Sequence, residues 1–139
     1  MEVRTVMSSP PVTVGPEATL HDVVGTMLEE GAGSVIVVDH GVCGIVTRTD
    51  VLEAIHAEER RLADLSVLEV MSDDVAMTTG TTSVTEALRT MTDRGISRLP
   101  VRQGKKPVGI VTLTDVARHL PEHLEEVRSV ARRRDRHLD

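Results

Sequence analysis

Apolar and polar positions along the chain fall into one pattern written twice. Leu20, Val23, Val24, Met27 and Leu28 follow the i, i+3, i+4, i+7, i+8 spacing that gathers side chains on one face of a helix. Thr19 and Asp22 make a Ser/Thr-x-x-Asp/Glu start for that helix, and Gly31 ends it. The same device returns with Ser83 and Glu86 at the start, Val84, Ala87, Leu88 and Met91 on the face, and Gly95 at the end. A short extended segment precedes each helix, Val12-Thr13-Val14 in one case and Ala76-Met77-Thr78 in the other. Two β-branched runs follow each, at 34–39 and 42–47 and again at 99–102 and 108–112. Turn residues join them, Asp39-His40-Gly41 and Gln103-Gly104-Lys105-Lys106. A closing helix is predicted to begin at Thr49-Asp50 and at Thr114-Asp115, with Val51, Leu52 and Ile55 or Val116, Ala117 and Leu120 turned inward. The predicted order is βαββα, twice, with the charge-rich residues 57–66 continuing the first closing helix into a linker.

The repetition extends to identity. At an offset of 64, Val6-Met7-Ser8 falls on Val70-Met71-Ser72, Met27 on Met91 and Gly31 on Gly95. With one residue inserted near position 104, the run from Gly44 to Asp50 falls on the run from Gly109 to Asp115, differing only where Arg48 faces Leu113. The chain is a tandem duplication. Its repeats are expected at 1–66 with the linker and 67–120, followed by a polar tail at 121–139. A period near 64 is short for two independent cores, so two halves sharing one core are expected.

Composition narrows what the duplication can do. Apolar residues make up 40% and charged residues 27%, as in ordinary globular domains. Phe, Tyr and Trp are absent, so a bound planar ring would lie between aliphatic side chains, and the aromatic platforms of single-strand nucleic-acid binders cannot be built. A net charge of −6 also argues against a polyphosphate backbone as partner. No apolar stretch nears the roughly 18 residues that span a bilayer, and no signal segment opens the sequence, so a cytoplasmic protein is expected. Cys43 is the single cysteine and reads as a small buried thiol.

At this point the chain resembles the cystathionine-β-synthase-like (CBS) domain pair. The resemblance runs from Val6 to about Leu120 and is carried by the Val-Met-Ser openings, the two Gly-Ile-Val-Thr-x-Thr-Asp signatures and Arg98-Leu99-Pro100-Val101. It implies a mixed α/β fold of two βαββα repeats with pseudo-two-fold symmetry, strands central and helices outside, commonly dimerised. It also implies adenosine-containing ligands bound in clefts between the copies.

The resemblance places the ribose on Asp50 and Asp115. A carboxylate offers two acceptor oxygens to the two donors of a cis-diol. Phosphate would lie near Thr47, Thr49, Thr112 and Thr114, where helix starts collect unpaired N–H groups. Adenine would lie between the first extended segment and the strand after the long helix, at Thr13, Val14 and Ser34 in one copy and Met77, Thr78 and Arg98 in the other. Arg48 and Arg98 are candidate phosphate contacts, each present in one copy only. The plain alternative is that Thr49-Asp50 and Thr114-Asp115 are helix starts, with threonine as N-cap and aspartate complementing the dipole.

No nucleophile stands beside a base, and no phosphate loop is present, so no catalysis is expected. His119 and His123, with Glu122 between them, are interrupted by Pro121 and lack a third ligand, so no metal is expected. The tail carries acid early and base late, which suits a solvated or dimer-flanking helix. The expected function is regulation: AMP, ADP, ATP or S-adenosylmethionine is sensed by a homodimer that signals to a separate effector protein. The rival is a structural dimerisation module whose ligand sites are vestigial.

Overall fold

The computed structural model describes residues 1–119 and 124–137. In chain order the elements are α1 (Val3–Val6), β1 (Thr13–Val14), α2 (Leu20–Glu30), β2 (Ser34–Val38), β3 (Val42–Thr47), α3 (Arg48–Ala57), α4 (Val67–Val70), β4 (Thr78–Thr79), α5 (Val84–Arg94), β5 (Arg98–Gln103), β6 (Lys106–Thr112), α6 (Leu113–Ala117) and α7 (Leu124–His137). The fold is mixed α/β, with two three-stranded sheets ordered β1-β2-β3 and β4-β5-β6. In each sheet the short first strand runs parallel to the second, and the second and third form an antiparallel hairpin.

The caps set the long helices where the pattern puts them. Thr19 accepts the Asp22 N–H and Asp22 accepts the Thr19 N–H at the start of α2, while Gly31 ends it in the left-handed region at φ 62°. The Thr19 N–H also holds the Asp22 carboxyl below its usual range. Ser83 accepts the Glu86 N–H at the start of α5, and Gly95 ends it in the left-handed region. Leu20, Val23 and Met27 on α2, and Val84, Ala87, Leu88 and Met91 on α5, are buried. At roughly 25 cal/mol per Å² of apolar surface, each large side chain contributes about 2 kcal/mol.

Packing follows a partition that crosses the repeats. One compact unit is Pro11–Val75, and the other joins Met1–Pro10 to Ala76–Asp139. Each has its own buried cluster, one including Leu20, Val35, Val46, Leu65 and Val67, the other Val3, Val6, Leu88, Leu99, Val111 and Val130. A single shared core is therefore corrected to two. The opening segments make this possible, because each short helix closes the core of the copy it does not belong to. Val3 N–H donates to Thr82 O and Ser8 exchanges backbone bonds with Ile110 of the second repeat. Ser72, opening the second repeat, exchanges the same bonds with Ile45 of the first.

The motif glycines sit beneath these segments. A Cβ on Gly109 would stand 2.7 Å from Met7 Sδ and 2.8 Å from the Ser8 carbonyl, and one on Gly44 would meet the Met71 side chain. Met71 can swing aside, whereas the Ser8 carbonyl is fixed by the Ile110 N–H. Gly109→Ala is therefore expected to destabilise by about 1–3 kcal/mol and Gly44→Ala by clearly less, read from urea unfolding midpoints.

Several sequence expectations change. The closing helices begin at Arg48 and Leu113, not at Thr49-Asp50 and Thr114-Asp115, because Thr47 and Thr112 are the N-caps. Leu28, Leu52 and Ile55 face outward at 79%, 65% and 52% exposure. The inward face of α3 is Val51 and Ala54, since the small alanine lets the helix approach its sheet. Beyond Ala57 the chain does not extend α3: Glu58 is extended, and Leu62–Asp64 form a separate 3-10 turn. Lys106 belongs to β6, and Gly104 takes the positive φ of that hairpin. The tail helix α7 is docked on its own unit, burying Val130 and packing Val127 against the core. Leu120, Pro121, Glu122 and His123 lie outside the described residues.

Candidate functional site

The N-terminus of α3 meets the end of the β2–β3 hairpin. Ser34, buried at the start of β2, is the register partner of Thr47, and the Arg48 N–H donates to Gly33 O at 3.2 Å. Thr47 N–H donates to Asp50 Oδ2 at 2.8 Å and Asp50 N–H to Thr47 Oγ1 at 3.2 Å, a reciprocal capping box. The N–H between them, that of Thr49, has no partner among the described residues. Arg48 is exposed at the first helical position, where its charge opposes the helix dipole and an anion would relieve it. Asp50 Oδ1 accepts no hydrogen bond among the described residues, and Asp50 is partly exposed.

The second copy repeats this frame with a different outcome at the carboxylate. Arg98 opens β5 opposite Thr112, and the Leu113 N–H donates to Ser97 O at 2.8 Å. Thr112 N–H donates to Asp115 Oδ2 at 2.9 Å and Asp115 N–H returns to Thr112 Oγ1 at 3.0 Å. Here Oδ1 is also taken, by the Ser8 hydroxyl at 3.0 Å, with Arg118 at 3.7 Å. Asp115 is only 5% exposed. Ser72, the repeat equivalent of Ser8, makes the matching backbone bridge but sends no hydroxyl bond to Asp50 among the described residues. Two aspartates identical in motif thus differ in availability.

The remaining predicted residues take graded positions. Thr13 and Val14 lie on β1 opposite Ile36 and Val37, so they share the sheet of Ser34 but begin two residues farther along it, about 7 Å. Thr78 is buried in β4 opposite Val101, and Met77 stands partly exposed just before it. Thr49 is half-buried and Thr114 exposed, each within the first turn of its helix. The structure therefore gathers Ser34, Thr47, Arg48, Thr49 and Asp50 in one unit, and Arg98, Thr112, Thr114 and Asp115 in the other. Sequence reasoning passed over Ser8 as an Asp115 partner, although its Val-Met-Ser repeat marked it. It also passed over the Thr-x-x-Asp capping boxes, whose pattern it had read at Thr19.

The surroundings are acidic on one side. A cleft of about 220 Å³ beside Asp50 is lined by Glu53, Glu58 and Glu69, with Arg60 bonded to Glu69 at 2.8 Å and holding its carboxyl below the usual range. Like charge disfavours an anion along that side, and the Thr49 N–H favours one at the helix start. Burial pushes the Cys43 thiol up, away from reactivity. His119, in the turn after α6, has Nδ1 3.1 Å from Asp115 O of that helix. No helix among the described residues is long and apolar enough to cross a membrane.

The sequence profile of the CBS domain matches residues 3–57 and 67–122. The mitochondrial CBS domain-containing protein CBSX3 of Arabidopsis thaliana is 33% identical over 116 residues, 78% of this chain and 56% of that protein, so the chain spans about half its length. The crystal structure of the CBS domain protein TA0289 of Thermoplasma acidophilum matches with a TM-score of 0.84 at 22% identity, over 96% of this chain and 75% of that one. The CBS domain pair of protein MJ0100, solved in complex with 5′-methylthioadenosine and S-adenosyl-L-methionine, matches with a TM-score of 0.78 at 23% identity, over 85% of this chain and 94% of that one. At these identities the two structures establish the fold.

Proposed function

Because the chain belongs to the CBS domain family, as a tandem pair of CBS domains, we propose that it is a regulatory module that binds an adenosine-containing ligand and performs no catalysis. The observation that carries this reading is Asp50, whose carboxylate is held in place by the Thr47 N–H yet keeps Oδ1 available on a partly exposed side chain. A carboxylate fixed through one oxygen and open at the other is pre-organised for a ribose diol. The Thr49 N–H, with Arg48 beside it, offers an anion a place at the start of the ten-residue α3. Arg98, Thr112, Thr114 and Asp115 form the second, weaker site, because Ser8 must be displaced before Asp115 can accept a ligand hydroxyl. Thr13, Val14 and Ser34, with Met77 and Thr78 in the other copy, supply the aliphatic and backbone surface for the base.

The ligand class is AMP, ADP, ATP or S-adenosylmethionine, and the complex with S-adenosyl-L-methionine and 5′-methylthioadenosine of a protein of the same fold supports it. The module acts as a cytoplasmic homodimer and passes its state to a separate effector protein. The coupling is limited to the ligand's preference for one state over another. A purely structural module is the second reading, favoured by the helix-capping work that both aspartates already do and by the outward faces of Leu28, Leu52 and Ile55.

Thermal unfolding followed by circular dichroism, with AMP, ADP, ATP, S-adenosylmethionine and guanine nucleotides in turn, separates the two. The sensor reading expects a selective rise with adenosyl ligands, equivalent to about 2.7 kcal/mol at a hundredfold excess over Kd. No rise, or an equal rise with guanine nucleotides, supports the structural module.

A further inference from the structure

The unit that contains the second repeat carries a cleft of about 440 Å³, lined among others by Arg4, Met7, Thr79, Gly80, Arg102 and Val108. It lies at the opposite end of the β5–β6 hairpin from Thr112 and Asp115. Arg102 is four residues along β5 from Arg98, the register partner of Thr112, a distance of about 13 Å. Backbone bonds build the cleft: Arg4 N–H donates to Gly80 O at 2.9 Å, and Thr79 pairs with Arg102 in the parallel ladder. The approach is close, since a Cβ on Gly80 would stand 3.2 Å from Arg4 Cβ.

The duplication provides an internal control for the chemistry. At the 64-residue offset, Arg4 corresponds to Leu68, Arg102 to Val38, Thr81 to Glu17 and Gln103 to Asp39. The frame is the same in both copies, with Val3 and Val67 both fully buried and Met7 and Met71 both lying over the motif glycines. On one scaffold, two carboxylates and two apolar side chains have been exchanged for two guanidinium groups and two neutral polar ones. This occurs in a chain whose net charge is −6. Lys105 and Lys106 follow on the same hairpin.

We propose that this cleft binds the phosphoryl group of a small phosphorylated molecule, independently of Asp50. Arg4 bonds Glu2 at 2.8 Å and Arg102 donates to Gly104 O at 3.2 Å, which orients both guanidinium groups while leaving most of their five N–H donors to spare. Paired guanidinium groups match the geometry of phosphate oxygens, and the Thr79 and Thr81 hydroxyls add neutral donors at the same wall. Met7 and Val108 form an apolar wall for the organic part of the ligand. The volume exceeds a phosphate ion alone and accommodates a small phosphomonoester.

The test is titration of the full chain with inorganic phosphate and with glycerol 3-phosphate at constant ionic strength, followed by amide NMR. The comparison is with the double variant Arg4→Leu and Arg102→Val. Both substitutions install the residue found at the equivalent position of the Pro11–Val75 unit, Leu68 for Arg4 and Val38 for Arg102, so the fold has a precedent for each, and circular dichroism verifies it. The expected result is saturable shifts at Gly80, Thr81 and Gly104, with at least about a tenfold loss of affinity in the double variant. Tighter binding of glycerol 3-phosphate identifies a phosphomonoester as the ligand, and equal affinity identifies free phosphate. Shifts reproduced by chloride, or affinity unchanged in the double variant, overturn the proposal. Asp50→Asn leaves this binding intact, so failure here is distinct from failure of the adenosyl reading.

Discussion

Asp115→Ala is expected to destabilise the protein by about 2–3 kcal/mol, and Asp50→Ala by about 1 kcal/mol, measured as shifts in urea midpoint at constant m-value. The two residues occupy the same position of the same repeated motif, so sequence alone assigns them equal weight. Asp50 accepts one bond of the capping box, from the Thr47 N–H, and its partly exposed position lets water replace it. Asp115 accepts the Thr112 N–H and the Ser8 hydroxyl, with Arg118 nearby, from a site that is 5% exposed. Removing it strands a capping donor and cuts the tie between the N-terminal segment and α6. Equal losses at the two positions would contradict this division of labour.

The same asymmetry governs ligand binding in the opposite sense. Asp50→Asn is expected to weaken the adenosyl ligand by about 10- to 100-fold, the value of one or two hydrogen bonds to a charged acceptor. Asparagine is the informative substitution because its carbonyl oxygen can still accept the Thr47 N–H, so the start of α3 survives. Asp115→Asn changes the dominant affinity by less than about threefold, since that carboxylate is already engaged internally. Equilibrium dialysis on both variants decides the matter. A larger loss at Asp115 than at Asp50 would relocate the primary site to the second repeat.

Most of the local structure was legible. Caps at Thr19, Ser83, Gly31 and Gly95 act over a few residues, and the stripes of α2 and α5 are long enough to fix a period. The exchange of opening segments was not legible. When both copies carry the same Val-Met-Ser and the same Gly-Ile-Val, a local pairing and an exchanged pairing satisfy the same pattern, and only the path of the connecting chain distinguishes them. The face of α3 was misread for a smaller reason. Val51, Leu52 and Ile55 look like a stripe, yet the buried pair is Val51 with Ala54, and a small residue that permits close approach does not announce itself by hydrophobicity. The candidate aspartates were found, but their inequality comes from a tertiary hydroxyl contact. Ser8 and Ser72 read alike, and only the fold shows that one of them reaches its aspartate.

The central claim is that Asp50 reads the ribose diol of an adenosyl ligand. The most direct measurement is calorimetric titration of the wild-type chain and of Asp50→Asn with one adenosyl ligand and with its 2′-deoxy analogue, treated as a double-mutant cycle. The expected result is a loss of about 10- to 100-fold on removing the 2′-hydroxyl in the wild type, falling to within about threefold in the variant. Equal affinity for both ligands in the wild type, or discrimination that persists in full without the Asp50 carboxylate, would contradict it.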